Sequence, residues 1–221
     1  MVATVKSLIY ESQLRGWAVA NFRVGSGVWP DTLEVRLNQQ ARECGLQPME
    51  NRRGSGYLST LTPMTEEQAH RSSISAMVGL GQQPLHTDGA HQRIVPDFVL
   101  LWSEAVSATP TLVWEPKNIP RESMSGIFVI NSGQERWLGS GWDDQGIRFD
   151  PGCMAPADAF ARQFSTAIQD SPEEEVESIS WDKPGKVLLL RNRRVLHGRA
   201  AVAAGDIDRC LQRIAFKGES Q

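Results

Sequence analysis

The stretch Lys183-Pro-Gly-Lys-Val187-Leu-Leu-Leu-Arg191-Asn-Arg-Arg-Val-Leu-His197-Gly-Arg199 carries the strongest strand pattern in the chain. Its Pro-Gly dipeptide is typical of a turn, and the apolar run that follows predicts a strand over Val187–Arg191. The polar residues after this run predict a second turn, so that His197 comes directly after a strand–turn–strand unit. This part of the chain therefore indicates β-structure with a histidine at its end.

Four further short runs, rich in β-branched, aromatic or leucine residues, predict additional strands, and Gly, Pro and Asn separate them. The runs are Phe98–Glu104, Thr111–Trp114, Ile127–Asn131 and Cys210–Phe216. Helical patterns lie mostly before this series. The sequence therefore predicts a mainly β fold with flanking helices, in which a closed or double-sheet β core carries the helices on one side.

Capping residues and glycines mark the predicted helices and loops. Asp31 is the predicted N-cap of a helix, with Glu34 completing a capping box, and this helix ends at Gly45. Thr65 and Gln68 form a weaker capping box, which predicts a further short helix. The other predicted elements are a helix over Thr4–Arg15, a helix over Pro156–Gln169 with Phe160, Phe164 and Ile168 on one face, and a glycine-rich turn over Asn51–Gly56.

The composition is that of a globular protein, with 221 residues of which 40% are hydrophobic and 22% charged. The formal net charge of −3 argues against nucleic acid or an anionic membrane as an obligate partner. The start of the chain has no long apolar region, so we expect no signal peptide. The three cysteines are odd in number and widely spaced, which predicts a reducing, cytoplasmic location without a disulfide framework.

The segment Pro84-Leu-His86-Thr-Asp88-Gly-Ala-His91 contains a candidate metal-binding pair. On an extended backbone, residues two apart project to the same face, so His86 and Asp88 are expected to present an imidazole and a carboxylate together. Such a pair is weak evidence alone, because a chain with 4 His and 26 acidic residues contains one by chance about half the time. A local zinc site of His86, Asp88 and His91 is one alternative.

His197, 111 residues after His86, supplies a possible third ligand. Two histidines and one carboxylate on one face of a metal ion leave three coordination positions open, as in the facial triad of non-heme Fe(II) oxygenases. The last predicted strand adds two arginines, Arg209 and Arg213, that share one face. Arginines on the inner face of an apolar strand need anionic partners, and a dicarboxylate suits a guanidinium. Surface exposure of both arginines is the alternative.

In these residues the chain resembles the Fe(II)/2-oxoglutarate-dependent dioxygenases, of the taurine dioxygenase and clavaminate synthase-like superfamily. The matching pieces are Leu85-His-Thr-Asp-Gly89, Asn192-Arg-Arg-Val-Leu-His-Gly-Arg199 and Arg209-x-x-x-Arg213, and the resemblance covers roughly residues 74–217. It implies a double-stranded β-helix, or jelly roll. It also implies one domain over residues 1–221, with a mostly helical flank over 1–73 and the jelly-roll core over 74–217.

The resemblance implies a role for each matching residue. His86, Asp88 and His197 would be the iron ligands. Arg209 would hold the distal carboxylate of 2-oxoglutarate, with Thr111 as a hydroxyl donor to the same carboxylate. Arg213 would lie near the substrate or brace the site, and it is the alternative holder of 2-oxoglutarate.

The implied activity is that of an oxygenase. Oxidative decarboxylation of 2-oxoglutarate would be coupled, with dioxygen, to hydroxylation or a related C–H oxidation of a small polar molecule such as an amino acid or specialised metabolite. Two other functions stay open at this stage. One is a jelly-roll binding protein without catalytic activity, and the other is a zinc hydrolase that uses the local histidine and aspartate set.

Overall fold

The computed structural model describes residues 3–25, 31–50, 56–70 and 73–218. Its helices are α1 Val5–Arg15, α2 Leu33–Glu43, α3 Ser75–Val78 and α4 Ala159–Gln169, with 3-10 turns at Arg121–Ser125 and Glu173–Glu175. Its strands are β1 Trp17–Asn21, β2 Leu46–Met49, β3 Leu58–Leu61, β4 Phe98–Ser103, β5 Ser107–Trp114, β6 Ile127–Asn131, β7 Arg136–Ser140, β8 Trp142–Asp143, β9 Gly146–Ile147, β10 Met154–Pro156, β11 Glu177–Trp181, β12 Lys186–Arg191, β13 Leu196–Arg199 and β14 Leu211–Gly218.

The larger sheet is built around the central strands β12, β4 and β14. Strands β1, β12, β4, β14 and β2 lie side by side in this order, and β3 also pairs with β14. All of these pairings are antiparallel. Because β1, β2 and β3 come from the first 61 residues, the N-terminal segment contributes strands as well as helices to this layer of the molecule.

A smaller antiparallel sheet, in the order β11, β5, β13, faces the larger one. Side chains alternate along each strand, so one face of both sheets meets in a shared core. Leu101 and Leu188 enter this core from the larger sheet, and Val113 and Trp181 enter it from the smaller sheet. Two facing antiparallel sheets with flanking helices confirm the predicted mainly β, jelly-roll fold.

Helices pack against the outer faces of both sheets. Two helices cover the larger sheet, and one helix belongs to a separate hydrophobic cluster beside the smaller sheet. Helices α1 and α2 pack on the outward side chains of β4 and β12, such as Leu100 and Leu189. Helix α4 packs with β6 and β10 in a second cluster that includes Trp114 and Leu196 of the smaller sheet. The expectation that the helices lie on one side of the β core is therefore wrong, because both sheets leave an apolar outer face that needs cover.

Several local predictions need correction. The N-cap of α2 is Thr32 and not Asp31, since the Thr32 hydroxyl accepts a hydrogen bond from the Val35 amide. Around Thr65 the capping hydrogen bonds form, but the chain makes only a turn. Phe160 is 47% exposed, because α4 begins at Ala159 and turns Ala161, Phe164 and Ile168 inward.

The helix over α1 is confirmed, with Thr4 as its N-cap and Gly16 in the left-handed conformation at its end. Most of the glycine-rich turn over Asn51–Gly56 lies outside the described residues. Among the described residues, no helix has the length and apolar character needed to cross a membrane. All three cysteines are free thiols.

The core packing predicts a large stability difference between two leucine variants. Leu189 of β12 is fully buried against helices α1 and α2, whereas Leu138 of β7 is 67% exposed. We expect Leu189→Ala to lower the free energy of unfolding by about 2–5 kcal/mol, since it removes buried contacts and leaves a cavity. Leu138→Ala is expected to change it by less than about 0.5 kcal/mol. Urea denaturation of both variants checks this, and equal losses would contradict the assignment of the core.

Candidate metal and cofactor site

A backbone bridge between two distant segments holds the histidines together. The His86 amide donates to the His197 carbonyl at 2.9 Å, and the His197 amide donates to the His86 carbonyl at 3.0 Å. The two imidazole rings consequently lie 4.8 Å apart between centroids. Gly198 is required beside this bridge, because a Cβ there would lie 2.8 Å from the Gln83 carbonyl oxygen.

Asp88 is fixed in the same cluster through its backbone. The Asn192 side chain accepts a hydrogen bond from the Asp88 amide at 2.9 Å and donates to the Asp88 carbonyl at 2.9 Å. Between the two candidate ligands, the Thr87 hydroxyl accepts a hydrogen bond from the amide of Phe149. The alternation that was predicted from the sequence thus gives His86 and Asp88 a common side.

The ligand atoms of His86, Asp88 and His197 all lie within 4.8 Å of one another, and all three residues are buried. The Oδ2 atom of Asp88 is 3.6 Å from Nε2 of His197, which is longer than a hydrogen bond, and it has no hydrogen-bond partner among the described residues. Nδ1 of His86 lies 3.0 Å from the Pro84 carbonyl oxygen, which leaves Nε2 of His86 available. A buried carboxylate oxygen without a donor favours a bound cation at this point.

Charge and burial determine the protonation of this cluster. Burial alone would raise the pKa of Asp88, but the Arg213 guanidinium and the two nearby imidazoles hold that pKa well below its ordinary value. Burial, together with His197, lowers the pKa of His86, so its imidazole is neutral near pH 7. An ionised carboxylate and a neutral imidazole are the protonation states in which these groups bind metal ions.

Arg213 lies on the inner face of β14 and is paired with the candidate ligand Asp88. Its Nη1 atom is 2.5 Å from Oδ1 of Asp88, and its Nη2 atom is 3.3 Å from the Ser59 hydroxyl. The contact leaves the other carboxylate oxygen, Oδ2, facing His197. In this structure Arg213 therefore braces the candidate metal cluster.

Arg209 is placed differently from the sequence prediction, since it comes just before β14 and not on the strand. It is 6% exposed, and burial lowers its pKa to about 10, which leaves it charged at neutral pH. Its Nε donates to the Thr109 carbonyl at 3.2 Å, and its Nη2 lies 3.5 Å from the Thr111 hydroxyl oxygen. That hydroxyl also accepts from Trp181 Nε1, so its own proton is available to an acceptor in the cavity.

These groups open into one cavity of about 510 Å³ between the two sheets. Its lining includes His86, Asp88, Thr111, His197, Arg209 and Arg213. A cavity of this volume is in the range of small-molecule sites. The structure therefore brings all six sequence-predicted site residues to one place.

Comparison with known proteins adds evidence at the level of structure. By sequence, no protein family and no curated protein matches the chain. The non-heme iron oxygenase OrfP, solved with Fe and alpha-ketoglutaric acid, is similar with a TM-score of 0.73 at 18% identity, over 97% of this chain and 79% of OrfP. An asparagine oxygenase, solved with Fe(II), 2S,3S-3-hydroxyasparagine and succinate, gives 0.69 at 15% identity, over 95% and 76%. The chain has the fold of these oxygenases.

In this structure His91 lies outside the cluster of candidate ligands. His91 lines the cavity, but within the described residues it does not join the group formed by His86, Asp88 and His197. The backbone turns at Gly89, which adopts a φ of 69°. The local zinc site of His86, Asp88 and His91 that the sequence left open is therefore not the cluster that this structure forms.

Two supporting residues were missed by the sequence reasoning. Asn192 is fully buried and donates to the Pro96 carbonyl as well as to that of Asp88. The Arg199 guanidinium donates to the carbonyls of Gly79, Leu80 and Gly81, which fixes the segment that leads to His86. Asn192 and Arg199 begin and end the stretch Asn192–Arg199 that contains His197. Their hydrogen bonds to buried backbone carbonyls are visible only in the structure.

The Asn192 contacts predict a strong effect of removing its amide. Asn192→Ala would leave two buried carbonyls and one buried N–H without their present partners. We expect the free energy of unfolding to fall by about 2–4 kcal/mol, because unsatisfied buried polar groups are costly. Asn118→Ala, at an exposed asparagine, is expected to change it by less than about 0.5 kcal/mol. Thermal and urea denaturation check this, and similar stabilities of the two variants would refute it.

Proposed function

We propose that this protein is an Fe(II)/2-oxoglutarate-dependent oxygenase that hydroxylates a small polar molecule. The observation that carries the proposal is the convergence of His86, Asp88 and His197 within 4.8 Å, although the two histidines are 111 positions apart in the sequence. Two imidazoles and one carboxylate form the ligand set that non-heme iron oxygenases use. Oδ2 of Asp88, which has no hydrogen-bond partner among the residues that the structure describes, fits a metal ion in the same place.

The second part of the proposal concerns 2-oxoglutarate. Arg209 would bind its distal carboxylate, since this guanidinium is buried, charged and directed into the cavity of the metal cluster. The Thr111 hydroxyl would donate to the same carboxylate. Arg213 would keep Asp88 ionised and oriented. When bound, iron and 2-oxoglutarate supply the activation of dioxygen and the oxidation of a C–H bond, while the protein binds, orients and shields the substrate from water.

The substrate class is also part of the proposal. The cavity is lined by polar groups such as Gln83, Ser59 and Gln92 besides the cluster itself, which suits a small polar compound. The similar OrfP has been solved with (3S)-hydroxy-L-Arg, and the asparagine oxygenase with a hydroxyasparagine. We therefore propose an amino acid or a related metabolite as the substrate. The cytoplasmic location predicted from the sequence stays a prediction.

Anaerobic addition of Fe(II) and 2-oxoglutarate tests the proposal. A bidentate 2-keto acid on Fe(II) is expected to give a visible metal-to-ligand charge-transfer band in the wild-type protein. The His86→Ala variant is expected to lack this band. His70→Ala is the control, since His70 lines the cavity outside the cluster, and it is expected to keep the band. Absence of the band in wild type, or its persistence in His86→Ala, would rule the proposal out.

A non-catalytic jelly-roll protein would have the same fold, so turnover must be measured separately. Under air, the proposed enzyme is expected to convert 2-oxoglutarate slowly to succinate even without its substrate. A screen of candidate substrates by succinate release would then identify compounds that accelerate this conversion. A protein that forms the charge-transfer complex but never releases succinate would be a binding protein.

A further inference from the structure

One carboxylate in the cavity is not used by the proposed metal and cofactor sites. Asp150 lines the same cavity as His86, and its negative charge interacts with the His86 imidazole. Asp150 is not one of the three residues that can hold a metal ion. A turn fixes its position, because its Oδ1 accepts a hydrogen bond from the Gly152 amide at 2.7 Å and its carbonyl accepts one from the Met154 amide at 2.8 Å. Asp150 is therefore a rigidly held carboxylate on the cavity wall.

The cations of the cavity are already engaged elsewhere. Arg199 donates to backbone carbonyls, and Arg213 is paired with Asp88. Arg209 contacts Thr109 and Thr111, and under the proposed function it takes the distal carboxylate of 2-oxoglutarate. Within the described ranges, Asp150 makes no ion pair with any lysine or arginine. The Asp150 carboxylate also hydrogen-bonds the Cys153 thiol, which carries no charge, so no cation among the described residues neutralises it.

The surroundings of Asp150 strengthen its attraction for a cation. The turn of Asp150 lies beside the segment that begins α3. A Cβ atom on Gly152, in this turn, would lie 3.5 Å from Cγ1 of Ile74 and 3.6 Å from the sulfur of Met77. Ile74, the N-cap of α3, is half-buried, as is Asp150 itself, whereas Met77 is 52% exposed, so the carboxylate is partly and not fully removed from water. A charge–charge contact that is partly shielded from water is stronger than one on an open surface.

We propose that Asp150 binds a positively charged group of the substrate, such as a guanidinium or an ammonium. The inference rests on the proposed function, because it concerns the substrate of the same cavity. It narrows the substrate class from small polar molecules to molecules with a basic group. Asp150 is then a specificity-determining residue, and the cavity discriminates against neutral compounds of the same shape because their approach leaves the carboxylate unpaired.

A purely structural role for Asp150 is separated from this binding role by Asp150→Asn. Asparagine keeps the oxygen that accepts from the Gly152 amide, so the turn is retained while the charge is lost. Asp144→Asn is the matched control, since it removes the same charge from an exposed carboxylate in the turn between β8 and β9. Thermal denaturation of both variants first checks that the fold is intact.

Ligand binding is measured with pairs of probes that differ in charge and little in shape, namely L-arginine with L-citrulline and L-lysine with L-norleucine. Each is titrated anaerobically into protein with Fe(II) and 2-oxoglutarate, and the charge-transfer band and the tryptophan fluorescence are followed. We expect at least one basic probe to bind the wild type about tenfold more tightly than its neutral partner, as a hydrogen-bonded charge pair would give. We expect Asp150→Asn to remove that preference and Asp144→Asn to keep it.

The outcomes distinguish this inference from the proposed function. If the band forms but neither basic probe binds more tightly than its neutral partner, the Asp150 inference is overturned while the oxygenase proposal stands. A preference that survives in Asp150→Asn also overturns it. If no band forms, the oxygenase proposal fails, and the fluorescence titrations alone decide whether Asp150 binds cations in this cavity.

Discussion

The variant Asp88→Asn is expected to form no charge-transfer band with Fe(II) and 2-oxoglutarate under conditions that saturate the wild type. The substitution replaces the only anionic member of the cluster with a neutral amide, which leaves a dication among neutral ligands. It also removes the charge that Arg213 faces, so a positive guanidinium would remain beside the metal. The expected loss of metal affinity exceeds the roughly 10–100-fold that removal of an outer-shell partner costs.

The control for this variant is Asp97→Asn. Asp97 also pairs with a cation, Lys217 at 2.7 Å, but it is not among the residues that line the cavity. We expect this variant to keep the band and the metal affinity of the wild type. Fe(II) titrations followed by absorbance compare the two proteins. A band of wild-type strength in Asp88→Asn would remove Asp88 from the ligand set and with it the main support for the proposed function.

The second large effect is expected from Arg209→Ala, which should raise the KM for 2-oxoglutarate by about 100-fold or more. The reason is that a buried carboxylate of the co-substrate would lose its charged partner, with Thr111 as the remaining donor. Arg209→Lys is expected to restore part of the affinity, since an ammonium keeps the charge but not the two parallel hydrogen bonds. Steady-state kinetics of succinate formation, with 2-oxoglutarate varied, measures both variants.

Arg213→Ala is the matched comparison for Arg209→Ala. Because Arg213 contacts Asp88 and Ser59, its removal should weaken the affinity for Fe(II) and leave the KM for 2-oxoglutarate nearly unchanged. The opposite pattern, with an unchanged KM in Arg209→Ala and a raised KM in Arg213→Ala, would assign the co-substrate to Arg213. Either pattern identifies which arginine of the pair binds 2-oxoglutarate.

The strand predictions succeeded where the residues themselves fix the backbone. The apolar run after the Pro-Gly turn became β12, and its side chains alternate between the helices and the inner core. The helix predictions were less accurate at their ends. Thr32 and not Asp31 caps α2, because capping depends on which hydroxyl or carboxylate meets the first free amide, and the two residues are adjacent.

The candidate ligand cluster was partly encoded in the local sequence. The alternation of an extended segment put His86 and Asp88 on one side. His197 lies within the second strand of the strand–turn–strand unit, β13, and not directly after the unit, and from there it forms the bridge to His86. The different contacts of Arg209 and Arg213 were not encoded in this way. Both belong to one short motif, yet only Arg213 reaches Asp88, since β14 begins after Arg209.

The sequence by itself determined the residue types, the short-range spacing and the strand pattern, because these depend on backbone periodicity and on the chemistry of side chains. The tertiary structure alone decided which distant residues meet. The antiparallel register brings His197 to His86, burial leaves Oδ2 of Asp88 without a donor in the described part of the chain, and the turn after β9 directs Asp150 into the same cavity. Such contacts depend on how two sheets pack against each other, and no local pattern contains that information.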